Sequence, residues 1–172
     1  MTLNERLRSF DGMRRALLDE LEALDPAVLE AKPRAGKWSM LEIVEHLVLA
    51  ERAVFKGLPD TSRLVDGKRG PENHVRYLLV LFILRSGIPV RVPSPAMVPR
   101  GDRSLAELRR LWDENQDWLR SCIARLGPEG VRRAVFEHPV AGPLTVEQAV
   151  RMLRVHVGGH VRQIRALQRL LA

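Results

Sequence analysis

The chain has 172 residues, a net charge of +7, 45% apolar and 5% aromatic residues, which suits one domain over residues 1–172 with a core of Leu, Val and Ala. Its longest apolar run, Tyr77 to Leu84, is about half a membrane span. Arg6, Arg8, Arg14 and Arg15 break any signal-peptide core and Cys122 is alone, so the expectation is a soluble, cytoplasmic protein without a disulfide.

The first helix is predicted from Thr2, where Glu5 completes a capping box, to the break at Asp25-Pro26. Its apolar stripe is Leu3, Leu7, Phe10, Leu17, Leu21 and Leu24. A second starts at Ser39 with Glu42 three residues on and runs to Gly57-Leu58-Pro59, with His46 beside Ile43, Leu47, Ala50 and Val54. A third opens near Pro71 and stops at Gly87. Its run from Tyr77 to Leu84 has the composition of a buried strand, but the cap signals and the helical neighbours favour helix.

Residues 88–101 carry Pro89, Pro93, Pro95 and Pro99 and are expected to be a loop. Loops this long inside a compact domain are often functional. The fourth helix starts at Ser104, capped with Glu107, and ends at Gly127-Pro128, its apolar contacts being Leu108, Leu111, Trp112, Trp118 and Ile123. A polar stretch, Glu129 to Val140, leads to a turn at Ala141-Gly142-Pro143. The fifth helix begins at Thr145, with Gln148 closing its cap, and runs almost to the C-terminus. The short connections favour antiparallel neighbours. The expected fold is therefore all-α, an up-and-down bundle of four long helices plus a shorter one.

Residues 1–60 hold 9 basic and 11 acidic residues, residues 61–172 hold 19 and 10. The excess Arg is scattered along helix faces, and aromatics for stacking bases are few. That pattern fits a solvated basic surface better than a nucleic-acid site.

His156 and His160 are spaced i, i+4, so on a helix their imidazoles stand one above the other. Such a pair can hold one metal ion, and His46 on a facing helix would complete three protein ligands with coordination positions left open, as in catalytic centres. The alternative is that each histidine bonds a backbone carbonyl or lies at the edge of its stripe. Gln163, one turn beyond His160, either orients a ligand or is a surface amide. No general base stands out. Glu42 and Glu45 lie near His46, but Glu42 already caps a helix. His138, before Pro139, is read as turn-stabilising, His74 as surface, and Cys122 as a buried apolar residue.

These residues resemble a bacterial family, the DinB-like proteins. The resemblance rests on Gly36-Lys37-Trp38-Ser39 followed by Glu45-His46-Leu47, on His138-Pro139-Val140-Ala141-Gly142-Pro143-Leu144-Thr145, and on His156-x-x-x-His160-x-x-Gln163-Ile164. It covers essentially the whole chain. It implies a four-helix bundle with one divalent metal, usually nickel or zinc, on three histidines, here His46, His156 and His160. Many members have a further His before the last ligand, where this chain has Gly159 preceded by Gly158. Two glycines cost a helix about 1 kcal/mol each, and they serve either the close approach of a helix or substrate, or relief of crowding.

The resemblance further implies a thiol-dependent transferase using a low-molecular-weight thiol and a small electrophile, or a metal-dependent hydrolase. A metal on neutral ligands keeps its full charge and lowers the pKa of a water or thiol. The surplus arginines would suit a thiol that carries carboxylates. Two other classes stay open: a metal-binding bundle without catalysis, and a metal-free interaction module. Bundles of this kind often associate through an exposed apolar helix face, so a homodimer is a further expectation.

Overall fold

The computed structural model describes residues 2–56, 70–86, 92, 94–138 and 140–171. Among these residues, six α-helices form in the order α1 (Leu3–Glu22), α2 (Pro26–Glu30), α3 (Met40–Lys56), α4 (Pro71–Ser86), α5 (Leu105–Arg132) and α6 (Val146–Leu171). One hairpin, β1 (Ala134–His138) with β2 (Gly142–Thr145), lies between the last two. The architecture is a helical bundle. None of the described helices is long and apolar enough to cross a membrane.

The predicted helix starts form as capping boxes. Thr2 and Glu5 close α1, and Ser104 and Glu107 close α5. At α3 the Ser39 N–H donates to Glu42 at 2.9 Å and Glu42 N–H returns to Ser39 Oγ at 3.2 Å. Thr145 and Gln148 do the same for α6 at 2.9 and 3.2 Å. Each box satisfies amide donors that a helix start leaves without partners.

Two segments differ from expectation. Asp25-Pro26 does end α1, but it also starts α2, with Asp25 Oδ1 accepting from the Ala27 N–H at 2.8 Å. A five-residue helix is too short to show periodicity. The polar stretch after Gly127 is not all irregular. Gly127, at φ +63°, breaks α5, one further helical turn follows to Arg132, and residues 134–138 pair antiparallel with 142–145. The expected turn at 141–143 lies at the end of that hairpin. His138 Nδ1 accepts the Val140 and Ala141 N–H groups at 3.1 Å each, the turn-stabilising role expected of it.

The core joins Phe10, Leu17, Leu18 and Leu21 of α1, Met40, Ile43 and Leu47 of α3, Leu108, Trp112 and Leu119 of α5, and Val150, Leu153, Val157 and Ile164 of α6. The main packing partners are α3 with α5, α4 with α6, and α1 with α6. These pairs are not neighbours in sequence. The chain between α1 and α3 carries the short helix α2 before the next long helix begins.

Helix α4 lies close on α6, and Gly159 is where they meet. A Cβ at position 159 would stand 2.9 Å from the Leu84 carbonyl oxygen, whereas one at 158 would meet only Met13 Sδ at 4.0 Å. Arg162 fastens the same contact, donating to the Arg85 carbonyl at 2.8 Å and the Gly158 carbonyl at 3.0 Å. Gly159 thus serves the close approach of a helix, and no crowding explains Gly158. Gly159→Ala is expected to lower stability in denaturant unfolding by about 1–3 kcal/mol, because rigid backbone must give way. Gly158→Ala should gain about 0.5–1 kcal/mol from helix propensity.

A buried polar cluster ties α1, α3 and α5 together. Glu51, 1% exposed, accepts from Trp112 Nε1 at 2.6 Å and from Gln116 Nε2. Arg14, equally buried, lies over the Trp112 ring at 5.8 Å and pairs with Asp11 and Asp113 at 2.7 Å each. Burial pushes the Glu51 carboxyl up to about 8, against the opposing pull of Trp112, Arg14 and Gln116.

Candidate metal centre

Helix α3 and helix α6 bring three imidazoles to one point. His46 comes from α3, His156 and His160 from successive turns of α6. One ring nitrogen of each lies within 4.8 Å of the others. Ring centroids are 5.3 Å apart for His46 and His156, 5.1 Å for His46 and His160, and 4.7 Å for the α6 pair. His46 is buried and the other two are partly covered.

Hydrogen bonds on the far side of two rings set their tautomers. His46 Nδ1 is 2.8 Å from the Met97 carbonyl oxygen. A carbonyl only accepts, so Nδ1 carries the proton and Nε2 offers its lone pair. His160 Nδ1 likewise donates to Gln163 Oε1 at 2.8 Å, leaving Nε2 free to accept. That Nε2 faces His156 Nε2 at 3.1 Å. Without an ion, one of these nitrogens must hold a proton for the other.

The donor set fits a metal. Two nitrogens sharing a tetrahedral ion at 2.0–2.1 Å stand about 3.3 Å apart, close to the 3.1 Å between the Nε2 atoms of His156 and His160. The rings are also neutral, as ligation requires. Burial lowers His46 from its ordinary value, with the Met97 carbonyl pulling the other way. Burial, then the neighbouring His160 and His46, hold His156 well below the usual range. Burial and His46 lower His160 to about 4 despite the Gln163 contact.

Residues 94–101 of the proline-rich segment are tied down over the N-terminal half of α3. Pro95–Met97 forms a 3-10 turn that presents the Met97 carbonyl to His46. Buried Glu45 accepts from the Arg100 and Gly101 N–H groups at 3.0 and 2.8 Å and from Arg103 at 3.3 Å. The indole of Trp38 lies against His46, with ring centroids 4.9 Å apart. Of the remaining candidates, Glu42 is occupied by Ser39 and by Lys32 at 2.8 Å. Neither Glu42 nor Glu45 is left as a general base. His138 serves the hairpin, His74 is exposed and Cys122 is buried in the hydrophobic core.

Gln163 falls where the one-turn spacing places it, against His160. The Met97 carbonyl, Glu45 as an anchor and Trp38 as a cover were not among the expected site residues. Backbone carbonyls carry no sequence signal, and the only hint of the others was their place in the Trp38-Ser39 and Glu45-His46 motifs.

Comparison with known proteins places these features in context. A model of the DinB superfamily matches residues 9–164. The chain is 25% identical over 159 residues to the uncharacterised protein YuaE of Bacillus subtilis strain 168, covering 92% of this chain and 94% of YuaE. It superposes on TT2238, described as a four-helix bundle protein, with a TM-score of 0.57 and 26% identity, covering 96% of this chain and 99% of the other. It is similar in fold to YfiT of Bacillus subtilis, with a TM-score of 0.54 and 19% identity over 98% of this chain and 89% of YfiT. YfiT is described as a probable metal-dependent hydrolase with an unusual four-helix bundle topology.

Proposed function

This chain belongs to the DinB superfamily, and on that premise we propose that it is a metal-dependent enzyme with one divalent ion, nickel or zinc, held by His46, His156 and His160. Its substrate in this reading is a small electrophile, which it hydrolyses or joins to a low-molecular-weight thiol. One observation carries the reading: three imidazoles converge, and in two of them the opposite ring nitrogen is already engaged. The description of YfiT as a probable metal-dependent hydrolase supports it.

The chemistry such an ion supplies is Lewis acidity, which polarises a substrate oxygen and lowers the pKa of a water or thiol. The protein's own part is positional. Met97 and Gln163 hold two rings in one tautomer and orientation, and the acceptor on each N–H raises the basicity of the ligating nitrogen. Trp38 shields one side of His46 from solvent. Three protein ligands leave coordination positions for a substrate, the pattern of catalytic and not structural sites.

The test is turnover by protein loaded with nickel or zinc, on a panel of small esters and amides and on electrophiles offered with a low-molecular-weight thiol. Activity in the loaded protein that chelation abolishes supports the reading, and the panel separates hydrolysis from thiol transfer. A fully loaded protein inert on both panels would sink it and leave a metal-binding bundle without catalysis.

A further inference from the structure

Helix α4 is apolar on two opposite faces, and the described elements cover only one. Tyr77, Val80 and Leu81 are buried, packed towards α6. Val75, Leu78, Leu79 and Phe82 form a second stripe at i, i+3, i+4 and i+7, and are 65%, 45%, 51% and 65% exposed. A helix that is hydrophobic all round is normally buried all round. Other large exposed apolar residues, such as Trp118, Val140 and Leu170, lie singly on separate elements, which is ordinary for a surface. The α4 stripe is a contiguous patch, the kind that marks an interaction site.

We propose that a second copy of this chain covers that stripe, the two α4 helices packing antiparallel about a two-fold axis between Leu78 and Leu79. The helix is complementary to its own reverse. With Leu78 set opposite Leu79, Val75 falls opposite Phe82 and Glu72 opposite Arg85, and the same pairs recur across the axis. A two-fold interface requires this property, since residue i must suit j while j suits i. Glu72, which also pairs with Arg76 on its own helix, and Arg85 are exposed at the two ends of the helix, so opposite charges meet at both rims around a dry centre, as at typical interfaces. A parallel pairing would instead bring like charges together at each end.

Sedimentation equilibrium of the full chain tests this, and the expected species is a dimer with a micromolar or tighter dissociation constant. Phe82→Glu should weaken it by at least about a hundredfold, as loss of a central aromatic anchor does. Because Phe82 is already exposed, the helical circular dichroism should not change. Glu72→Arg and Arg85→Glu should each weaken the dimer roughly tenfold, since each puts two like-charged pairs at the rim. An equimolar mixture of those two variants should regain wild-type affinity, because every rim pair is then opposite in sign. A monomeric wild type would overturn the proposal, meaning that another segment or partner covers the stripe. A Phe82→Glu protein that dimerises as wild type, or a mixture no tighter than either variant alone, would overturn it as well.

Discussion

Substituting His160 by Ala should empty the site: metal measured by mass spectrometry on untagged protein falls from about one nickel or zinc per chain to a small fraction. The expected loss of affinity is more than about 100-fold, because the change removes a donor atom as well as its orientation, and orientation alone is commonly worth 10–100-fold. Gln163→Ala gives the smaller range, since it leaves His160 in place but frees its ring to rotate away from the geometry set at Nδ1. His138→Ala is the control. Its ring serves the hairpin turn, so metal content should stay at the wild-type value. Chelation should lower the melting temperature of the wild type and leave His160→Ala unmoved, because an ion that binds only the folded state stabilises it by mass action. Wild-type protein that takes up neither nickel nor zinc would refute the three-histidine centre, whatever the effect of the variants.

The second large effect is a pH dependence of stability contributed by one buried carboxyl. Glu51 is raised from 4.5 to about 8 by burial, so between those values the folded chain binds one more proton than the unfolded chain. Stability from this group is complete below pH 4.5 and is lost as pH rises through 8. His160 works oppositely. Its lowered value, about 4, means its contribution is complete above the unfolded value near 6.5 and lost as pH falls towards 4. Unfolded histidines are still half protonated near pH 6.5, so the histidine terms fade only above about pH 7.5 and oppose Glu51 below it. Comparison with Glu51→Gln, which keeps every histidine term, isolates the carboxyl: the stability of wild type relative to that variant should fall by roughly 1.5 kcal/mol from pH 6.5 to 8. A neutral amide keeps the shape of the side chain, and Gln116 can turn its own amide to suit it. Glu51→Ala is a different perturbation, leaving the Trp112 N–H and the Gln116 amide without an acceptor, and should be strongly destabilising at every pH. Denaturant unfolding of wild type and Glu51→Gln at pH 6.5, 7.25 and 8 reads the difference, and parallel curves would show that Glu51 is ionised throughout.

How far the sequence carries the site depends on the range of each contact. The pairing of His156 with His160 needs only the pitch of one helix, and Gln163 follows from the same pitch. Joining His46 to them takes α3 packed on α6 in one register, and the apolar stripes of both helices predispose it without specifying it. The tautomer of His46 depends on a carbonyl 51 residues away, in a proline-rich segment whose path has no periodicity to read. Glu45 shows the same limit. Beside a candidate ligand it is eligible as a base, and only the folded loop, by placing two amide N–H groups and Arg103 on it, makes it an anchor.

By itself the sequence determined where the long helices begin, the apolar stripes of those that carry one, and the family to which three short motifs belong. Those properties rest on contacts within one turn, through caps, prolines, glycines and the 3.6-residue repeat, so a linear string contains them. Tertiary structure alone decided that non-consecutive helices pack together, that Gly159 makes room for the Leu84 carbonyl, that burial pushes the Glu51 carboxyl upward, and that a second apolar stripe of α4 is left exposed. Each of these depends on which distant surfaces meet and how much water they exclude, and neither quantity is written in local spacing.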